Sequence, residues 1–347
     1  MITVKEFGKT KDGKEVSLYS IKNSMGMQAD VTDFGAILVN LFVPTAGGDK
    51  LDVVLGYDKL SDYETSGSYF GATIGPSANR IKGAKFTING TEYSILANEN
   101  GNNLHSDGEH GFHKVVWDAS VNDDENSVTF SLKQEDGALG FPGNRTFTVT
   151  YKVTDDGEVA IIYTGASDKD TVMNLTNHTY FNLDGHDSGS MEESTVMIKA
   201  DRYTEIVPGA IPTGNLPEVA GTPMDLTSPH KVSEHCDDAF EQLVLTSGYD
   251  HNYVISKETD GVEKVAEVMA AKSGIIMEVY TDLPGIQFYA GNFIDTHTGK
   301  GGASYARRMG LCLETQYFPN AINEPAFESP VFGPNKPYKT TTIYKFI

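Results

Sequence analysis

The sequence is poor in cysteine and in long apolar runs, and both shortages exclude classes of protein. Its two cysteines, Cys236 and Cys312, form no CxxC pair or Cys/His cluster, so neither a disulfide framework nor a zinc site is indicated. No run approaches the length of a membrane span. The first 20 residues are charged and lack the apolar core of a signal peptide, so we expect a cytoplasmic protein.

Basic residues are also scarce. Lys and Arg total 27 against 48 Asp and Glu, which gives a formal net charge of −21 spread along the chain. Such a surface repels nucleic acid and anionic membranes and mildly disfavours a phosphorylated substrate, although a local basic pocket could override the last effect. We therefore expect neither nucleic acid nor a membrane as a partner.

Patterns with a period of two, separated by turn residues, predict strands along the whole chain. Only 232–245 is typical of a short helix, and no repeat or linker divides the sequence. We predict an all-β fold, a large antiparallel β-sandwich in one domain over residues 1–347. The clearest predicted elements are a hairpin of 86–88 and 93–95 across Asn89-Gly90, a hairpin of 147–153 and 159–163, a strand at 128–132, and a hairpin of 265–271 and 275–281.

Two segments alternate between apolar and hydrogen-bonding side chains. In 174–183, His178 shares its parity with Asn, Thr and Tyr residues, and in 311–316, Glu314 shares its parity with Gln316. Since a strand projects successive side chains to opposite faces, each segment is predicted to have one core face and one polar face that needs a wet cleft. A histidine and a glutamate so placed suit acid–base chemistry on a neutral polar substrate, and a concave polar sheet surface suits a sugar.

Seven short motifs follow one another along almost the whole chain. They are 54–58 (VLGYD), 79–81 (NRI), 102–105 (NNLH), 174–183 (NLTNHTYFNL), 248–251 (GYDH), 281–293 (TDLPGIQFYAGNF) and 313–316 (LETQ). Each motif alone is weak, but in their order and spacing, which are highly specific, the chain resembles the aldose 1-epimerases or galactose mutarotases. The resemblance implies a β-supersandwich fold and interconversion of the α and β anomers of free aldoses.

The resemblance also implies which residues bind and react. It implies that His178 is the general acid, that Glu314 is the general base, that Arg80, His105 and Asp250 orient the sugar, and that Asn79 and Gln316 are further contacts. Mutarotation requires a proton removed from the C1 hydroxyl and a proton delivered to the ring oxygen, so no metal, nucleotide or redox cofactor is needed.

The expected protonation states follow from ordinary pKa values. Glu at about 4.3 is ready as a base near neutrality, whereas His at about 6.5 must be held partly protonated. We therefore expect the pKa of His178 to lie above 6.5, raised by nearby acidic groups.

Two departures from the family pattern affect the expected site. Ser106-Asp107 follows His105 where the family has Gly-Gly, which puts the placement of His105 in question, and Pro76 stands where a basic residue is usual. Four aromatic residues are expected in the core rather than as a sugar platform: Trp117, Phe288, Tyr289 and Phe318.

Two other functions remain open from the sequence. A hexose-6-phosphate 1-epimerase would need a basic cluster near the sugar C6, and only Arg307-Arg308 offers one. A non-catalytic sugar-binding protein would keep Arg80 and Asp250 but could lose the acid or the base, and both are present. The favoured hypothesis is an enzyme acting on a free aldohexose such as galactose or glucose, as a monomer or homodimer.

Overall fold

The computed structural model describes residues 2–347 and consists mainly of β-strands, whose ladders are all antiparallel across that range. This confirms the predicted all-β antiparallel fold. The first strands are β1 (Ile2–Lys9), β2 (Glu15–Lys22), β3 (Gln28–Thr32), β4 (Ile37–Pro44), β5 (Lys50–Asp52), β6 (Ala72–Ile74), β7 (Arg80–Ile81), β8 (Lys85–Ile88), β9 (Thr91–Ser94), β10 (Asn103–Leu104), β11 (Asp118–Asn122), β12 (Ser127–Gln134), β13 (Arg145–Val153), β14 (Glu158–Ser167) and β15 (Thr171–Val172).

The second half of the chain continues in the same way, with shorter strands and longer connections. The strands are β16 (Thr176–His178), β17 (Thr195–Ile198), β18 (Arg202–Tyr203), β19 (Ile206–Val207), β20 (Ile211–Pro212), β21 (His230–Lys231), β22 (Asp250–Val254), β23 (Glu263–Met269), β24 (Ile276–Thr281), β25 (Gly285–Tyr289), β26 (His297–Thr298), β27 (Ser304–Tyr305), β28 (Cys312–Gln316), β29 (Val331–Phe332) and β30 (Tyr338–Phe346). The helices are α1 (Leu60–Thr65), α2 (Val232–His235) and α3 (Glu241–Leu245). Among residues 2–347, no helix has the length and apolar character needed to cross a bilayer.

Three sheets carry the architecture. One has five strands in the order β1-β2-β3-β4-β5, and the largest has nine in the order β11-β12-β13-β14-β30-β24-β23-β17-β21. The third has four strands, β18-β22-β25-β28, and it positions most of the candidate site. The predicted hairpins are confirmed as β8–β9, β13–β14 and β23–β24, and the predicted strand at 128–132 lies within β12.

Alternating burial explains why these segments form sheet. In β13, Phe147, Val149 and Tyr151 are fully buried, whereas the threonines between them are partly or fully exposed. This is the pattern of a strand with one face in the core. The main core cluster joins such faces from all three sheets, with buried residues from Ile21 to Phe346. A second cluster, which includes Phe70, Tyr180 and Tyr289, lies next to the candidate site.

The predicted helix at 232–245 is wrong as one element. The segment forms α2 and α3, with 236–240 between them. Arg308 explains the interruption, because its guanidinium donates to the Cys236 carbonyl and to both carboxylate oxygens of Asp237. The sequence interpretation also missed α1, which buries Leu60 and Tyr63 at i and i+3 on one face.

Candidate active site

The four-stranded sheet fixes the position of Glu314 by its register. β28 pairs with β25 so that Glu314 lies opposite Gln287, and β25 pairs with β22 so that Gln287 lies opposite Asn252. Glu314 alternates with Leu313, which packs into the main core, so the carboxylate is projected from the opposite face. The strand predicted at 311–316 is confirmed as Cys312–Gln316.

The long strand predicted at 174–183 is wrong in length and in exposure. Only Thr176–His178 pairs continuously, with Ala72–Ile74, and both parities are buried. The ladder ends because the Asn177 side chain donates to the Gly71 carbonyl and its Oδ1 accepts the Thr179 backbone N–H, which turns the chain.

Among the polar-parity residues of this segment, two reach the candidate cleft. His178 and Tyr180 line it, whereas Asn174 and Asn182 are bonded to main-chain groups of other segments. The polar face therefore has two uses, since part of it lines the cleft and part of it joins segments of the fold.

The candidate active site is a cavity of about 450 Å³ between the four-stranded sheet and the loops beside it. All but one of the residues that the sequence predicted for the site line this cavity: Asn79, Arg80, His105, His178, Asp250 and Glu314. The cavity is also lined by residues that sequence reasoning missed: Tyr69, Glu99, Leu104, Tyr180, Tyr289 and Phe293 to Asp295, with Gly67 and Ser68 at its edge.

His178 and Glu314 form a buried acid–base pair. His178 Nε2 lies 3.7 Å from Glu314 Oε1, and the two residues are 5% and 2% exposed. Glu314 Oε2 has no hydrogen-bond partner among residues 2–347. Tyr69 and Tyr180 stack nearly parallel to the imidazole, at centroid distances of 5.6 and 5.0 Å.

Burial sets the protonation of this pair. Removal from water lowers the pKa of His178 to about 4. It raises the pKa of Glu314 well above its ordinary value, an effect that the Asp250 charge reinforces and the Arg80 charge opposes. The expectation that the pKa of His178 lies above 6.5 is therefore wrong, because desolvation of the imidazolium dominates. Both shifts favour the uncharged pair, with the proton on Glu314.

Arg80 and Asp250 bring opposite charges to another part of the cavity wall. Arg80 Nε and Nη2 donate to the two carboxylate oxygens of Glu99, at 2.6 and 2.8 Å. Asp250 Oδ1 accepts a 2.7 Å hydrogen bond from Gln287 Nε2. Burial raises the pKa of Asp250, while the Arg80 charge and this hydrogen bond oppose the rise.

His105 reaches the cavity despite the departure from Gly-Gly. His105 and Ser106 both adopt positive φ, 54° and 68°, the conformation that glycines take at no steric cost. Ser106 is held there because its hydroxyl accepts the Ser77 N–H and donates to the Ser77 carbonyl, at 2.9 and 3.0 Å. These hydrogen bonds of Ser106 stabilise the positive-φ conformation that a glycine would adopt without steric cost.

Pro76, the other departure from the family pattern, is buried, and its carbonyl accepts the Asn174 N–H.

The hydrogen bonding of His105 also decides its chemistry. Its Nδ1 accepts the backbone N–H of Asn79 at 3.2 Å, and burial lowers its pKa well below the ordinary value. The neutral ring therefore carries its proton on Nε2. The ligand atoms of His105, His178 and Glu314 lie within 4.8 Å of one another, a spacing that could hold a metal ion. The tautomer instead makes His105 a hydrogen-bond donor.

Gln316 is the predicted site residue that does not line the cavity. It is fully buried, and its Nε2 lies 3.3 Å from Asn252 Oδ1 and from Gln287 Oε1. Since Gln287 in turn holds Asp250, Gln316 lies behind the wall that carries the Asp250 carboxylate.

Of the four aromatic residues expected in the core, three lie there alone and Tyr289 also lines the cavity. Trp117, Phe288 and Phe318 are buried in apolar clusters, as expected. Tyr289 is part of the second core cluster but also lines the cavity. Its position was readable from parity, because Tyr289 shares a face of β25 with Gln287 and not with Phe288. Tyr69 and Glu99 lie on loops, where no periodic signal exists.

Comparison with known proteins agrees with this arrangement. The aldose 1-epimerase family model matches residues 17–345. A galactose mutarotase from Mus musculus is 40% identical over 335 residues, which cover 96% of this chain and 95% of that protein. An aldose 1-epimerase from Escherichia coli K12 is 35% identical over 339 residues, covering 97% and 96%. The crystal structure of an aldose epimerase homologue from C. elegans superimposes with a TM-score of 0.88 at 31% identity, covering 96% of this chain and 99% of that one.

Proposed function

This chain belongs to the aldose 1-epimerase family, a family of isomerases, and on that premise we propose that it interconverts the α and β anomers of free hexoses such as galactose and glucose. The observation that carries the proposal is the buried pair of His178 and Glu314, 3.7 Å apart in the wall of a polar cavity. Such a pair can exchange one proton with each of two neighbouring sugar oxygens.

In the proposed reaction, Glu314 accepts the proton of the C1 hydroxyl while His178 donates a proton to the ring oxygen. The C1–ring oxygen bond breaks, and C1 becomes an aldehyde. Rotation about the C1–C2 bond then presents the other face of the carbonyl. Ring closure reverses both transfers, because Glu314 returns its proton to the C1 oxygen and His178 takes the proton of the attacking hydroxyl.

The pKa shifts in the site support this cycle. After ring opening the pair is uncharged, with Glu314 protonated and His178 neutral, which is the state that burial favours. A raised pKa also makes the Glu314 carboxylate a stronger base toward a hydroxyl proton. The low-dielectric site thus stabilises the enzyme form that accompanies the open-chain sugar.

We assign sugar binding to the other polar groups of the cavity. The Arg80 guanidinium and the Nε2–H of His105 donate to sugar oxygens, and the Asp250 carboxylate accepts from sugar hydroxyls. Asn79, which also lines the cavity, is a further contact. Gln316 supports binding indirectly, through its contact with Gln287 and the hydrogen bond from Gln287 to Asp250.

Charge in the cavity favours a free hexose over a sugar phosphate. Four acidic residues line it, namely Glu99, Asp250, Asp295 and Glu314, and Arg80 is paired with one of them. The basic pair that the sequence offered for a phosphate lies elsewhere, because Arg307 and Arg308 both bind Asp237 and do not line the cavity. A phosphate dianion would meet repulsion here.

The wider setting is proposed on similar grounds. We propose a single-domain protein that acts in the cytoplasm as a monomer or homodimer, with no nucleic acid or membrane partner. For the absence of the two named partners the support is the net charge of −21, which repels polyanions and anionic membranes.

Polarimetry tests the proposed function. Freshly dissolved α-D-galactose, α-D-glucose and α-D-glucose 6-phosphate are followed with and without enzyme, and the spontaneous rate is subtracted. We expect fast relaxation for the two free hexoses and little acceleration for the phosphate. Preferential action on the phosphate would favour the hexose-6-phosphate 1-epimerase, and saturable sugar binding with no acceleration would favour a binding protein.

A further inference from the structure

Arg80 is held by a carboxylate that the proposed mechanism does not use. Glu99 precedes β10, which pairs with the strand that carries Arg80, and the ion pair is bidentate at 2.6 and 2.8 Å. The side chains are 13% and 25% exposed for Arg80 and Glu99, and both line the cavity. The pair is thus shielded from water to a degree that ordinary surface ion pairs are not.

The bidentate contact restricts how the guanidinium can be presented. Glu99 occupies the Nε–Nη2 edge of the planar fork, so the plane is fixed and the Nη1 side remains for another partner. A long arginine side chain otherwise loses considerable rotamer freedom when it binds a ligand. With Glu99 in place, much of that ordering precedes sugar binding.

The same contact moderates the charge that Arg80 directs at its neighbours. The charged or titratable groups within its electrostatic reach are Glu99, Asp250, Glu314, Tyr69 and His105. The Arg80 charge lowers the pKa of both Asp250 and Glu314, while the Glu99 charge raises the pKa of Asp250. Because Glu99 lies directly against the guanidinium, loss of its negative charge would leave the Arg80 charge less compensated at Glu314, and by Coulomb's law this would weaken Glu314 as a base.

We propose that Glu99 is a positioning residue that acts through Arg80, both by orienting the guanidinium toward the sugar and by limiting its positive charge toward Glu314. The proposal rests on the proposed function, because it assigns a role within the same site. It concerns a loop residue that comes six positions before His105 and lies outside the motifs that carry the family resemblance.

The test compares Glu99→Gln with a matched control. Glu92→Gln makes the same change in the exposed Lys85–Glu92 pair of the β8–β9 hairpin, away from the cavity. For Glu99→Gln we expect KM for galactose to rise about tenfold with a smaller loss in kcat, the scale of a hydrogen bond to a charged group. The alkaline limb of kcat/KM should move to lower pH, because uncompensated Arg80 lowers the pKa of Glu314. Glu99→Asp, which keeps the charge, should restore the position of that limb.

A double-mutant cycle separates action through Arg80 from other effects. Arg80→Met is combined with Glu99→Gln, and we expect the Glu99 effect on kcat/KM to shrink in the Arg80→Met background. Full additivity, or kinetics and a pH profile of Glu99→Gln equal to those of Glu92→Gln, would overturn the proposal. An inactive wild-type protein would instead refute the proposed function, and equal thermal midpoints for the four single variants exclude a folding defect.

Discussion

The nine-stranded and four-stranded sheets use buried positions differently. In β13 and β30 of the nine-stranded sheet, buried residues alternate with more exposed ones, and most of the buried residues are apolar or aromatic, with Arg145, Thr340 and Thr342 as polar exceptions. In β25 and β28 of the four-stranded sheet every residue is buried, including Gln287, Glu314 and Gln316. Both sheets contain buried polar atoms without a hydrogen-bond partner within residues 2–347, and on β28 of the four-stranded sheet these atoms are Glu314 Oε2 and Gln316 Oε1.

We infer from this difference that the nine-stranded sheet contributes mainly to stability and the four-stranded sheet to the chemistry of the site. Burial of an incompletely bonded polar group costs free energy, so the four-stranded sheet is less stable than an apolar version of it would be. This unfavourable free energy arises at the candidate active site, where removal of water also shifts the pKa values of the buried groups. The nine-stranded sheet, whose buried face is mainly apolar and aromatic, supplies compensating apolar burial. Substitutions in the four-stranded sheet should therefore reduce activity, whereas substitutions in the nine-stranded sheet should reduce the free energy of unfolding.

The largest expected effect is on catalysis by Glu314→Gln. The amide cannot accept the C1 hydroxyl proton, and we expect kcat to fall by about 10²–10⁴-fold, the usual contribution of general acid–base groups. Stability should be unchanged or higher, because a buried ionisable group is removed. Polarimetry and thermal unfolding check the two halves, and near-wild-type turnover would remove Glu314 from the mechanism.

Phe147→Ala makes the opposite change, in the nine-stranded sheet. Phe147 is fully buried and packs against Phe112, so truncation should cost about 3–5 kcal/mol of unfolding free energy. We expect kcat per folded molecule to remain close to wild type at low temperature. Urea unfolding and active-fraction kinetics measure these quantities. A large loss of kcat without loss of stability would contradict the separation of the two sheets.

Asp250→Ala should have an intermediate effect on activity. Without this carboxylate the sugar loses a hydrogen-bond acceptor and its alignment with His178 and Glu314, so kcat/KM should fall by about 10- to 100-fold through both KM and kcat. The exposed Asp260→Ala is the matched control. Kinetics equal to the control for both galactose and glucose would show that Asp250 does not hold the sugar.

The smallest but most diagnostic effect is on the pH profile. In the proposed mechanism the active form has Glu314 ionised and His178 protonated, which is a minor form of the singly protonated pair. The acid limb of kcat/KM should then lie near the pKa of His178, about 4, where the pair gains a second proton. The alkaline limb should follow the raised pKa of Glu314, where the pair loses its last proton.

His178→Asn sharpens that assignment. Its residual activity depends on ionised Glu314 alone, so after subtraction of the spontaneous rate it should rise with pH through the raised pKa of the carboxylate. Polarimetry over pH 3.5 to 9 makes the measurement. A rise centred near the ordinary Glu pKa of about 4.3 would show that burial does not perturb Glu314, and it would support the expectation from the sequence, in which Glu314 titrates below His178.

Site residues on strands could be predicted from the sequence better than site residues on loops. Period-two alternation identifies Glu314, and the same rule would have identified Tyr289, because strand geometry ties side-chain direction to parity. The resemblance to the family supplies the roles of Arg80, His105 and Asp250. Neither signal reaches Tyr69 or Glu99, whose positions depend on loop conformation and on contacts distant in sequence.

Burial was the harder property to foresee. The sequence predicts that the polar side chains of 174–183 face a solvent-filled cleft. In the structure Asn174 and Asn182 instead form hydrogen bonds with main-chain groups of other segments. For the same reason the pKa of His178 moved opposite to expectation, since sequence shows which charges are near a group but not how much water remains around it.

The pairing of the four-stranded sheet fixes the spacing between the strands that carry Glu314 and Asp250. Glu314 on β28 and Asp250 on β22 project from the same face with β25 between them, so two strand spacings, about 10 Å in total, separate their strands. Backbone hydrogen bonds between the three strands hold that spacing. If Glu314 acts at C1 and Asp250 binds the sugar hydroxyls as proposed, the sheet fixes the distance between these two groups, and we expect differences in sugar preference to arise from the loops that carry Glu99, His105 and Phe293.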